Sequence, residues 1–129
     1  MDRMAILLMV LFALSGSNVD KAVAQVTNPS AEQHMQVARH YVSRHDYTGA
    51  INRYRIVVTK FQSSDYVEEA FAHLTEAYLA LGIASEAKAA AAAMECRFPN
   101  GDWTVKAKAL LESAGLKPAE NPASWISCR

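Results

Sequence analysis

The chain has 129 residues, enough for one domain with a modest core. Its 13 basic and 13 acidic residues cancel and its apolar content is ordinary, which excludes a strong field for nucleic acid or anionic lipid, a disordered chain and a membrane bundle. The first thirty residues are a different material. MDRMAILLMVLFALSG carries one arginine and then an apolar run from Ala5 to Leu14. That run falls short of the ~20 residues that span a bilayer and suits a secretory h-region, with Ala22-Val23-Ala24 as the A-x-A cleavage site. A signal peptide is therefore expected over residues 1–24, with Gln25 as the first mature residue and residues 25–30 as a linker. Leu14-Ser15-Gly16 has the form of a lipobox, but Ser17 stands where the acylated cysteine would be.

From Ala31 onward apolar residues recur at helical spacing. One helix is predicted from Ala31 to Arg44, a turn at His45-Asp46, and a second helix from Tyr47 to Phe61. A third begins near Asp65, read as an N-cap with Glu68 completing a capping box. It runs to Leu81, turns at Gly82 and resumes through Glu86 to Arg97. Phe98-Pro99-Asn100-Gly101 stops that helix, since proline cannot continue it and Asn-Gly favours a turn. Asp102 is expected to cap a fifth helix, Trp103 to Ala114, and Gly115 with Pro118 ends it, leaving residues 115–129 as a flexible tail.

Displaced by 37 residues, the sequence matches itself: Tyr41 falls on Tyr78, Ala50 on Ala87, Val37 on Leu74, and Phe61-Gln62 on Phe98-Pro99. A period of this size marks stacked helical hairpins, and the spacing of small and aromatic residues fits the tetratricopeptide pattern. The fold class is all-α: a short α-solenoid of two tetratricopeptide-like helical hairpins plus a C-terminal capping helix, over residues 31–114. Close helix approach needs small side chains on one partner where the other inserts large ones. Leu74, Tyr78 and Leu81 are the expected knobs, and Ala87, Ala90, Ala91 and Met94 the shallow groove. Trp103, Ala107, Leu110 and Leu111 would cover the second unit. Met35, Tyr41 and Val42 are expected to be partly exposed at the other end, an apolar surface that calls for a partner.

Charge is unevenly spread. Five basic residues face two acidic ones from Glu32 to Lys60, a balance of +3, whereas two face six from Phe61 to Pro99, a balance of −4. Adjacent segments of opposite sign suit either a protein partner or two solvated faces. An oxidising compartment permits Cys96 and Cys128 to pair, while Cys96 alone would serve as a small apolar filler. His34, His40, His45 and His73 lack ligand spacing with either cysteine, so no metal and no cofactor is expected. Consecutive Ser43-Arg44-His45-Asp46 cannot surround one substrate as a triad does. With no phosphate-cradling loop, HExxH or nucleophile elbow, an enzyme is not expected, nor a small-molecule substrate.

MQVARHYVSRHDYTGAINRYRIVVTKFQSSDYVEEAFAHLTEAYLALGIASEA, with the closing FPNGDW, resembles the BamD (ComL) family, the tetratricopeptide subunit of the outer-membrane β-barrel assembly machinery. The resemblance covers Glu32 to Trp103 and only the family's C-terminal repeats; its N-terminal repeats and its lipid-bearing cysteine have no counterpart here. It implies a non-catalytic periplasmic scaffold at the outer membrane, docking on the POTRA region of the barrel subunit BamA and on other assembly subunits. A general periplasmic tetratricopeptide module, binding peptides or envelope and cell-division factors, is the alternative, as is a truncated member of the family.

The candidate partner-binding residues are Arg53, Arg55, Arg39, Glu76, Met35 and Leu79. Met35, Arg39, Glu76 and Leu79 fall on the first helix of each hairpin, which lines the concave face of such arrays. Arg39 and Glu76 lie one repeat apart and would either pair or contact a peptide. Arg53 and Arg55 lie on a second helix, within AINRYR, where guanidinium groups suit carboxylates of a partner.

Overall fold

The computed structural model describes residues 28–122 and Cys128; the expected signal peptide and Ser17 lie outside them. Contacts divide the chain into Met1–Ser30 and Ala31–Arg129. The second unit holds α1 (Ala31–Ser43), α2 (Tyr47–Lys60), α3 (Val67–Ala80), α4 (Ala84–Arg97) and α5 (Asp102–Ser113), with no strand among the described residues. Successive helices pack as two antiparallel hairpins, and α3 lies against α2, α4 and α5. This is the all-α, solenoid-like arrangement that the 37-residue period predicts.

Three turns share one geometry. After α1, α3 and α5 a residue takes the left-handed conformation: His45 at φ 60°, Gly82 at 74° and Gly115 at 73°. In each, the next amide donates back across the turn: Asp46 to Tyr41, Ile83 to Tyr78 and Leu116 to Leu111, at 2.8–2.9 Å. This closes the last carbonyls of each helix. The second helices end otherwise, at Phe61 and Phe98, which keep negative φ and whose amides reach Val57 and Met94.

Burial follows the helical period in α1, where His34, Met35 and Ala38 form one face. Met35 is fully buried, not partly exposed as expected, because α2 covers that face. Val37 and Leu74, equivalent by repeat, differ sharply. Leu74 has no exposed surface, whereas Val37 keeps 37 % of its own. Leu81 is no knob, since it closes α3 as the capping residue and is 42 % exposed.

Helix α4 explains its own composition. Ala87, Ala90, Ala91 and Met94 are fully buried on one face, and Ala89 and Ala92, on the opposite face, are only 8 % and 6 % exposed. A helix enclosed from more than one side has room for methyl groups and little else.

Glu68 does not form the expected capping box, and Tyr66, not Asp65, precedes α3 with no side-chain cap. The Glu68 carboxylate instead reaches the start of α5, accepting from the Thr104 amide at 3.1 Å and the Thr104 hydroxyl at 3.3 Å. Asp102, expected as that helix's cap, is its first residue. A Cβ on Gly101 would sit inside the Glu68 carboxylate, so this approach requires glycine. Glu68→Ala should therefore destabilise the fold by about 0.5–2 kcal/mol, the range for a lost N-cap acceptor, as read from urea midpoints. An unchanged midpoint would show that the cap is immaterial.

Candidate protein-docking site

Helices α1 and α3 open the two hairpins, and α5 packs on α3. Arg39 of α1 donates through Nη2 to Glu69 of α3. That hydrogen bond pushes the already basic guanidinium further up. Of the two alternatives for Arg39 and Glu76, pairing with each other is not met: helical side chains lean toward the N-terminus of their helix, and Arg39 reaches Glu69 in the first turn of α3.

Glu69 also lies 3.4 Å from His73 Nε2, and His73 Nδ1 lies 3.2 Å from Glu76 Oε2. Both imidazole nitrogens thus face carboxylates. The ring is stacked on Tyr54 of α2 at 5.2 Å and tilted against Trp103 of α5 at 5.3 Å. Lys106 lies 4.5 Å from the Trp103 ring centroid. Between α3 and α5 a groove of about 230 Å³ opens, with Ala72, Ala107 and Leu110 as apolar lining. Glu76 stands on one wall and Lys106 on the other, so the walls carry opposite charge.

The remaining candidates are scattered. Arg53 is half-buried, with Nη1 3.4 Å from His34 Nδ1. Arg55 is exposed on α2, close enough to Tyr78 to oppose the upward push of burial on that phenol. Leu79 is half-buried against the core, and Met35 offers no surface at all. His73, Trp103 and Lys106, absent from the sequence-based set, are brought together only when α5 packs on α3. The aromatic pair His73/Trp103, thirty residues apart, has no periodic signature. The opposite charges of the two segments are partly paired within the fold, by Arg39 with Glu69. Among the described residues no group of three or more His, Cys, Asp or Glu is placed to hold a metal ion.

Burial, and then the Arg53 charge, hold His34 below its ordinary value of 6.5. A lowered folded-state value means the unfolded chain binds the proton more readily, so this contribution is intact above 6.5 and is lost as the pH falls through the folded-state value. Urea midpoints should fall between pH 7.5 and pH 5.5, and His34→Gln should flatten that slope. Equal slopes for the two proteins would exclude His34 as the source.

A family model described as "YfiO: Outer membrane lipoprotein" matches residues 16–92. The chain is 34 % identical over 100 residues to the outer membrane protein assembly factor BamD of Caulobacter vibrioides, covering 78 % of this chain and 33 % of that protein. To the Rickettsia prowazekii BamD it is 31 % identical over 78 residues, 60 % of this chain and 31 % of that one. To the Neisseria meningitidis BamD it is 36 % identical over 73 residues, 57 % and 27 %. The chain thus spans about a third of the length of these curated relatives. No solved structure matches it.

Proposed function

Because the chain belongs to the YfiO family of outer membrane lipoproteins, we propose that it is a non-catalytic scaffold for outer-membrane protein assembly, acting on the periplasmic side. No helix among the described residues is long and apolar enough to cross a membrane. The curated relatives are named as assembly factors, and a helical array with a groove is suited to holding another protein. The partner class is a periplasmic region of the assembly machinery, in the first place the POTRA region of BamA.

One observation carries the docking surface: the groove between α3 and α5, apolar inside and oppositely charged on its walls, braced by Arg39–Glu69–His73–Glu76. Charged walls fix register while an aromatic anchor supplies most of the affinity. Binding of purified POTRA region to the full chain should weaken about tenfold or more in Trp103→Ala and in Glu76→Arg. Arg55→Glu, on the far helix, should leave it within about twofold, as rim charges do. The reverse pattern would move docking to α2 and its arginines. Binding unaffected by all three variants would overturn the POTRA assignment.

A further inference from the structure

Trp103 and Lys106 stand three residues apart on α5 and so share one helix face. The Lys106 ammonium lies 4.5 Å from the Trp103 ring centroid, inside the range of a cation–π contact. Lys106 is exposed, and a flexible four-carbon stem is long enough to leave its ammonium in water. It rests on the indole instead. The ring therefore attracts a cation, and the cation it holds is the chain's own.

The same groove presents a carboxylate. Glu69 is only 16 % exposed and is already reached by Arg39 and His73. Glu76, two turns later on α3, keeps 55 % of its side chain exposed and lines the groove opposite Lys106. Ala72, Ala107 and Leu110 supply the apolar lining. At about 230 Å³ the space is smaller than a small-molecule pocket and suits one long side chain. An aromatic face, an apolar wall and a carboxylate are the three surfaces an arginine uses. Its stem lies on apolar groups, its guanidinium plane stacks on a ring, and its fork of N–H groups donates to a carboxylate.

We propose that the groove is a subsite for one arginine side chain of the docking partner, which takes the place of Lys106 over Trp103 and donates to Glu76. The subsite rests on the docking surface described above and names what enters it. Lys106 holds its position through its tether to α5. An arginine from outside competes by stacking and by a two-pronged bond, neither of which an ammonium can make. A partner lysine, a strongly hydrated point charge, lacks both advantages over Lys106. On displacement the Lys106 ammonium returns to water, so the exchange leaves no charge buried and unpaired.

The test titrates acetyl-arginine amide into the full chain while the Trp103 indole N–H resonance is followed. A saturable shift is expected, with acetyl-citrulline amide, the neutral isostere, and acetyl-lysine amide both binding more weakly. Lys106→Met removes the competing cation and keeps the stem. It should tighten acetyl-arginine amide binding about two- to fivefold, the equivalent of one exposed cation–π contact. Glu76→Gln should weaken it about twofold or more. Binding no tighter in Lys106→Met than in the native chain would overturn the displacement. Equal binding of the arginine and citrulline compounds would rule out a cation subsite, and equal binding of the lysine compound would rule out the preference for arginine. A saturable arginine shift in a chain that does not bind the POTRA region would remove that partner and leave the subsite standing. POTRA binding with no saturable shift would do the opposite, removing the subsite and leaving the docking surface.

Discussion

Tyr54→Ala is expected to cost about 3–5 kcal/mol, the range for emptying a buried aromatic site. The ring is 1 % exposed and stands where the two hairpins meet, projecting from α2 onto His73 of α3. The same burial pushes its phenol up to about 12. In an array of this kind each hairpin takes part of its core from its neighbour. Removing the ring should therefore uncouple α1 and α2 from the rest as well as lower the total. Urea unfolding should shift to a lower midpoint, and hydrogen exchange should rise first in α1 and α2. Tyr54→Phe keeps the packing and should retain most of the stability. A loss under about 1 kcal/mol for the alanine variant, within the reach of an ordinary surface change, would put the ring outside the inter-hairpin core.

Ala87→Leu should destabilise by about 1–3 kcal/mol, the usual effect of forcing extra methylenes into a filled space. Ala87 has no exposed surface and sits one turn before Ala90 and Ala91, also fully buried. Three added carbons must push α3 and α4 apart or leave their preferred rotamers. Ser85→Ala, exposed in the first turn of the same helix, should stay within about 0.5 kcal/mol. Small domains have only about 5–15 kcal/mol in hand, so the leucine variant should melt visibly earlier. Equal and small effects would mean that α4 turns another face to α3.

Helix positions and the hairpin order were legible in the sequence because they rest on spacing, which a periodic chain displays openly. Gly82 marks its turn in the same way, by chemistry a single residue carries. What stayed hidden depends on which helix lies beside which. His45 adopts the backbone conformation of Gly82 without being glycine, since the turn's hydrogen bonds hold it there. Glu68 looks like a local cap and instead crosses thirty-six residues to α5. Arg39 meets Glu69 and not Glu76, because side-chain lean and helix placement, not repeat arithmetic, decide contacts. Met35 was misplaced for a related reason: a position on the first helix of a hairpin can face inward to α2 as readily as outward. The groove needs α5 seated on α3, a tertiary fact with no counterpart in local pattern.

The three left-handed turns also divide the chain into places where length is free and places where it is not. His45 and Gly82 are 37 positions apart, Gly82 and Gly115 only 33. The difference lies outside the turns: six residues join α2 to α3 but four join α4 to α5, and α5 is two residues shorter than α3. One residue added at Asp46 would rotate the apolar stripe of α2 by about 100° and turn Tyr54 away from the core. One added between Gln62 and Ser63, both exposed, lengthens a connection that already varies. A lineage gaining or losing residues, or an engineer grafting a tag or a loop, has latitude at the joints between hairpins and none at their tips.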